Sequence, residues 1–335
     1  MTQLALLGAA HIHTPGFINA IKKRGDDVRV KYVWDPDAVR AKKRAEELGA
    51  EVVTKLDRIL RDEDVSAVVV CSETDLHEEL VLPAAAAKKD MFVEKPLGMT
   101  AKDAYAMADA VERAGVLFQT GYFMRGDPRH LFLKQHVAQG SFGRITRVRG
   151  ANCHSGSLNG WFDAEWRWMA DPKRAGCGAF GDLGTHSLDI MLWLFGDVAA
   201  TTAMVDPGTR RYGETDETGE GLIRFKNGTI GTLAAAWTDL TNPVSLQISG
   251  TEGIASIING QVHFQSKVAT QYDGSSPVRL AELPKAQAAG FELFLDAVTH
   301  REAPNLVGVR EAAYRVSVVE AMYEGSRSGA WVTPR

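Results

Sequence analysis

The chain lacks most features that would tie it to a membrane, a nucleic acid or an oxidising compartment. Its three cysteines, Cys71, Cys153 and Cys177, are odd in number and far apart, so they suggest neither a disulfide framework nor a zinc ribbon. A reducing cytoplasm is the expected setting. No apolar run approaches the ~20 residues that a spanning helix needs, so no membrane contact is expected. The net charge is −4 with no long basic run, which removes the electrostatic footprint of a nucleic-acid binder. The first residues already read as a strand, leaving no room for a signal peptide. There is no internal repeat and no low-complexity linker. What remains is the composition of a soluble enzyme, 45% hydrophobic and 24% charged. At 335 residues, two domains are expected, divided as 1–122 and 123–335.

Up to about residue 120, short β-branched runs alternate with helical segments. The apolar runs cover residues 4–7, 28–34, 67–70, 91–93 and 116–118. Such alternation builds βαβ units, and the right-handed crossover winds them into a parallel sheet covered on both faces. Residues 38–48 are rich in Ala, Lys, Arg and Glu and stop at Gly49, as a helix does. Thr100 and Asp103 read as a capping box. Beyond residue 120 the pattern changes. Residues 142–152 read as a strand, and 198–264 hold several strands in succession, which implies antiparallel pairing in an α+β domain. Asn227-Gly228 suits a type I′ hairpin turn, and 249–253 marks another break. Helices are expected near 291–299 and 309–325.

The first turn, Gly8-Ala9-Ala10-His11-Ile12-His13, follows a strand and precedes a helix. The dinucleotide fingerprint places glycines at its first, third and sixth positions, and here these hold Gly8, Ala10 and His13. The strand–turn–helix context still offers a helix N-terminus to a pyrophosphate. Gly8, Ala10, His11 and Ile12 are therefore candidate cofactor contacts. His11 and His13 look like a metal pair but have no acidic or sulfur neighbour in the sequence, so no metal is expected. Asp35 ends the second strand, where an acid binds the adenosine ribose and repels a 2′-phosphate; this favours NAD over NADP. Asp35 also suits a helix cap. Ser72 and His77 follow the fourth strand, at the carboxyl edge where ligands of open sheets bind.

Glu94-Lys95-Pro96 stands at the end of the fifth strand. Proline biases Lys95 toward an extended backbone, which aims it into a cleft. A lysine there stabilises negative charge developing on an alcohol oxygen, and Glu94 is expected beside the nicotinamide ribose. Asp182 and His186 are four residues apart and share a helix face. A carboxylate beside an imidazole orients the ring, which can then move a hydroxyl proton. Residues 154–168 hold His154, Trp161, Trp166, Arg167 and Trp168, an aromatic and polar mixture that fits a sugar; a dimer contact is the competing reading.

Taken together, the chain resembles the glucose-fructose oxidoreductase / inositol dehydrogenase / MocA family. The resemblance rests on Glu94-Lys95-Pro96, the Asp182-to-His186 spacing, and Gly121-Tyr122-Phe123-Met124-Arg125 with Pro128. Ala175 to Ala179 stands where the family has a glycine run, and residues 318–329 look like its last helix. The resemblance implies an N-terminal Rossmann domain, doubly wound about a parallel sheet, and a C-terminal α+β domain with an open, mainly antiparallel sheet through which homodimers or homotetramers form. It implies an NAD-dependent enzyme moving a hydride between a secondary alcohol of a cyclic sugar, inositol or related polyol and the nicotinamide. By position, Lys95, Asp182 and His186 match the family's catalytic trio, and Arg125 falls in the segment entering the second domain, among the substrate-binding candidates. Two alternatives stay open: an NAD-dependent glycosidase working by transient oxidation, and a non-catalytic sensor of a dinucleotide or sugar.

Overall fold

A computed structural model describes residues 1–300 and 305–335. In chain order the elements begin β1 (Thr2–Leu7), α1 (Thr14–Lys23), β2 (Val28–Trp34), α2 (Ala38–Leu48), β3 (Glu51–Val52), α3 (Leu56–Leu60), β4 (Val65–Val70), α4 (His77–Ala86), β5 (Asp90–Val93), α5 (Ala101–Ala114) and β6 (Phe118–Thr120). They continue with α6 (Pro128–Ala138), β7 (Ile145–Cys153), α7 (Pro172–Ala175), α8 (Ala179–Phe195), β8 (Val198–Asp206), β9 (Thr218–Phe225) and β10 (Ile230–Ala236). The last are β11 (Val244–Gly250), β12 (Gly253–Ile258), β13 (Gln261–Ser266), β14 (Asp273–Pro277), α9 (Gly290–His300) and α10 (Val309–Ser328).

The chain forms two compact units. The first joins Met1–Phe123 with Asp163–Gly176 and Ala288–Val316, and the second joins Met124–Phe162, Cys177–Gln287 and Ser317–Arg335. Each unit is therefore assembled from three separate segments of the chain. Periodicity in a sequence reports an element's type, not the unit on which a returning segment packs.

The first unit holds a six-stranded parallel sheet in the order β3-β2-β1-β4-β5-β6. The order reverses between β1 and β4, which opens a crevice at their carboxyl ends. Alternate residues face opposite ways along each strand. Ala5, Leu7, Val68 and Val70 thus join Leu80, Ala84, Met107 and Val111 of α4 and α5 in one core. Leu4, Leu6, Val69 and Phe92 join Ile21, Ala45, Phe291 and Phe294 of α1, α2 and α9 in the other. Each buried Val, Leu, Ile, Met or Phe contributes roughly 1.5–3 kcal/mol. Local signals set the helix ends. Asp37 caps α2 by accepting from Val39 N and Arg40 N, and Gly49 closes it at φ 63°. Both halves of the Thr100/Asp103 capping box are present at α5. β6 starts at Phe118, two residues beyond the expected 116, because Val116 and Leu117 belong to the connection from α5.

The second unit holds an eight-stranded sheet, β14-β13-β12-β11-β7-β10-β9-β8, in which only the β7–β10 pair is parallel. α8 packs on β7, β9 and β10. The β9–β10 hairpin forms where expected, but not through a type I′ turn. Gly228 has φ 87° while Asn227 is not among the positive-φ residues. Gly228 N donates to Phe225 O and Phe225 N to Thr229 O, closing a loop on one left-handed glycine. The Asn227 side chain holds this turn instead, accepting from Thr229 N and donating to Phe195 O. Among the described residues, no helix is long and apolar enough to cross a membrane.

Candidate active site

In the first unit, the loop after β1 lies over the strand crossing. Gly8 has φ 76°, and its N–H donates to Trp34 O while His11 N donates to Cys71 O. The indole of the buried Trp168 donates to Ala10 O at 3.1 Å, fixing the middle of the loop. α1 then begins with no side-chain cap and no acid in its first turn, so no carboxylate there opposes an anion; Thr14 N and Phe17 N already donate to His11 O and His13 O, and Pro15 carries no N–H.

Asp35 is buried and does not cap α2; Asp37 does. The Asp35 carboxylate accepts from Ala9 N at 2.8 Å, Asp37 N at 2.8 Å and Arg40 Nε at 2.7 Å. Arg40 also reaches Glu73 at 3.1 Å, and Arg174 pairs with the same carboxylate at 3.1 Å. Ser72 is buried and donates to Glu73 O. His77 is buried as well. Its Nδ1–H donates to Leu97 O at 3.1 Å and ties the start of α4 to the segment after Pro96. Burial holds the His77 imidazole below its usual value against the opposing pull of the Leu97 carbonyl.

Glu94 follows β5 directly, with its carboxylate wholly buried. Its Oε2 accepts from Lys95 N at 2.8 Å. Its Oε1 lies 3.0 Å from His13 Nδ1 and 3.6 Å from His11 Nδ1. The acidic neighbour that the histidine pair lacks in sequence is thus supplied by the fold. Burial pushes the Glu94 carboxyl up, but His11, His13 and Lys95 outweigh it and hold the group below the usual carboxylate range. A Cβ on Gly121 would come within 2.4 Å of Glu94 Oε2, so only glycine leaves room for that carboxylate. Lys95 is buried and joined to Pro96 by a cis peptide bond. A cavity of about 430 Å³ opens beside this group, walled by Ile12, His13, Phe17, Glu94, Gly121 and Phe291.

In the second unit, Asp182 and His186 sit one turn apart on α8, both buried. Asp182 Oδ2 accepts from the indole of Trp237 at 3.2 Å. The glycine-rich start of α8 is capped from elsewhere in the chain. Asp216 accepts from Phe180 N at 2.8 Å, and Tyr323 Oη accepts from Gly181 N at 3.0 Å while donating to Asp216. A Cβ on Gly181 would meet the Cys177 side chain at 2.4 Å and Tyr323 Oη at 3.2 Å, and one on Gly178 would meet Asp216. Burial raises the Asp216 carboxyl and, still more, the Tyr323 phenol.

Residues 2–122 match a profile described as an oxidoreductase family, NAD-binding Rossmann fold, and 130–256 match the GFO/IDH/MocA C-terminal domain. Over 335 aligned residues the chain is 30% identical to the 1,5-anhydro-D-fructose reductase of Ensifer adhaerens, covering 97% of each. The chain belongs to the GFO/IDH/MocA oxidoreductase family. It is also 26% identical over 308 residues to the scyllo-inositol 2-dehydrogenase (NAD(+)) of Bacillus subtilis strain 168, covering 89% of this chain and 86% of that one. A levoglucosan dehydrogenase solved with NADH and levoglucosan has the same fold, with a TM-score of 0.85, 23% identity and 99% of each chain covered.

As a GFO/IDH/MocA member the chain is an NAD-binding oxidoreductase, and its first unit fits that cofactor. The backbone of Gly8 lies against Ser72, the first turn of α1 carries no acid, and a buried acid stands at the end of β2. The substrate candidates fall into different settings. Arg125, His154 and Trp161 belong to the second unit, and Trp166 and Arg167 to the first. The Arg125 guanidinium makes a two-pronged pair with Asp189 at 2.9 and 2.6 Å. His154 Nδ1 accepts from Gly156 N, and its ring leans on the exposed Trp161. Arg167 donates to Ala170 O, and Trp166 is half-buried. Sequence reasoning named Trp168 only within the segment read as fitting a sugar, not as a brace for the loop after β1, and did not single out Trp237, Asp216 or Tyr323. For Trp168 and Trp237 the one available signal was a tryptophan next to an irregular segment.

Proposed function

We propose that this oxidoreductase moves a hydride between NAD and a secondary alcohol of a cyclic sugar, inositol or related polyol. The observation that carries the reading is Lys95 at the carboxyl edge of the NAD-binding sheet, next to a Glu94 that touches the cofactor loop. The relatives named above, a reductase of an anhydro-sugar and a dehydrogenase of an inositol, support the substrate class. Gly8, Ala10, His11 and Ile12 would hold the diphosphate, Asp35 the adenosine ribose, Glu94 the nicotinamide ribose, and Ser72 and His77 would shape the adjoining loop. Bound NAD supplies the hydride acceptor.

The chain's own residues then handle the alcohol. The Lys95 ammonium donates to the substrate oxygen and stabilises its negative charge. His186 takes the hydroxyl proton as the carbonyl forms and returns it in reduction. Asp182, held by the Trp237 indole, orients His186 in this reading. His154, Trp161, Trp166, Arg167 and Arg125 are the candidates for shaping the sugar site. The enzyme is proposed to work in the cytoplasm, in keeping with three free cysteines. It is proposed to act as a homodimer or homotetramer joined through the sheet of the second unit, where Met204, Leu222 and Ile230 are exposed. Light scattering on the purified chain tests that assembly.

A panel of sugars and polyols, read by NADH absorbance, tests the reaction. His186→Ala is expected to lower turnover by about 10²-fold or more, the usual scale of a lost acid–base group, with NAD affinity unchanged. Unchanged turnover would remove His186 from its role. NAD binding with no oxidation or reduction across the panel would favour the sensor, and glycoside cleavage without net NADH the redox-assisted glycosidase.

A further inference from the structure

We propose that His11, His13 and Glu94 form a binding site for one divalent transition-metal ion of the zinc class. The three side chains offer ligand atoms within 4.8 Å of one another. Two imidazoles and one carboxylate are a donor set that suits zinc and its neighbours in the first transition row. The spacing fits as well. Zinc ligands at roughly 2.0–2.1 Å stand about 3.3 Å apart across a tetrahedral edge. Glu94 Oε1 lies 3.0 Å from one imidazole nitrogen and 3.6 Å from the other, on either side of that value.

The surroundings prepare these groups for a cation. His13 N donates to His11 Nδ1 at 3.3 Å, so that nitrogen carries a lone pair. It lies 3.6 Å from Glu94 Oε1, and a cation between them bonds to both atoms, displacing the long contact from His13 N. The metal takes the place of the proton that joins His13 Nδ1 to Glu94. The far oxygen of Glu94 accepts from Lys95 N at 2.8 Å, the outer contact that fixes a ligating carboxylate. Entry and open coordination positions come from the cavity walled by His13 and Glu94, where the His13 side chain is 39% exposed. The Lys95 ammonium and the N-terminus of α1 oppose a second positive charge nearby, so the ion is held reversibly.

Because the ion shares His11 and Glu94 with the proposed NAD contacts, metal and NAD exclude one another there; the test is run without NAD, needs neither substrate nor catalysis and does not rest on the proposed reaction. The EDTA-treated full chain is titrated with ZnCl₂ by calorimetry and with Co²⁺ by visible absorption. One saturable equivalent is expected, with the visible bands of low-coordinate cobalt. His13→Ala and Glu94→Gln should each weaken binding by more than about tenfold, the loss produced even by removing an outer partner. His263→Ala, on β13, should bind as the unmodified chain does. Circular dichroism checks each fold. Should the buried Glu94→Gln fail to fold, the partly exposed His13→Ala decides alone. No saturable uptake, or equal affinity in His13→Ala and the unmodified chain, would overturn the site and leave the cluster as a hydrogen-bond network.

Discussion

A Cβ placed on Gly8 would lie 2.5 Å from the Cβ of Ser72 and 2.6 Å from its Cα, so the loop after β1 rests directly on the chain after β4. Gly8→Ala should therefore both strain a left-handed backbone, at about 1–2 kcal/mol, and push the two loops apart. Reduced thermal stability and weakened NAD binding are expected together. Ser72→Gly should not rescue the variant, because the Ser72 backbone N and Cα are also within contact distance. Recovery of NAD affinity in the double variant would contradict this.

Cofactor choice depends on the cluster around Asp35. A carboxylate at the end of β2 should favour NAD over NADP by about tenfold or more, or roughly 1.4 kcal/mol. Asp35→Ser should narrow the gap only in part, because Arg40 stays tied to Glu73. Asp35→Ser combined with Glu73→Gln frees Arg40 from both carboxylates and should narrow it further. Fluorescence titrations with NADH and NADPH measure both steps. Tighter NADP binding by the unmodified enzyme would displace Asp35 from the ribose.

Arg125 and Asp189 form a pair with side-chain exposures of 10% and 1%. Arg125→Ala leaves a buried carboxylate uncompensated, and a stability loss of about 3–5 kcal/mol is expected. Arg125→Met with Asp189→Leu removes both charges and should restore most of it. A raised KM with unchanged melting in Arg125→Ala would instead place the guanidinium at the substrate.

His77 sets a pH dependence of stability. Its folded value lies below the usual 6.5 because burial disfavours the charged ring. As pH falls through 6.5, the unfolded chain binds a proton that the folded chain excludes. The His77 contribution is therefore complete above that pH and declines below it, by up to about 1.4 kcal/mol per pH unit. Urea unfolding at about pH 7.5 and about pH 5.5 should show a flatter profile for His77→Gln than for the unmodified chain. Parallel profiles would refute the assignment.

The sequence alone determined the elements and the strand-end positions of the chemistry. β2, α2 and the α5 capping box were legible because period-2 apolar runs, Gly49, Thr100 and Asp103 act within a few residues of themselves, although the α2 cap expected at Asp35 is made by Asp37. Gly8, Asp35, Lys95, Asp182 and His186 stood out because open sheets bind at carboxyl ends and because four residues make one helical turn. Tertiary structure alone decided the partners of these groups. It brought Glu94 to His11 and His13, Trp168 to Ala10, Tyr323 and Asp216 to the start of α8, and Asp189 to Arg125. It also decided which unit the segments 163–176 and 288–316 join. Each of these outcomes joins residues far apart in the chain. Local propensity carries no record of such pairings, because they form only when sheet order and helix packing bring the strand ends and helix ends together.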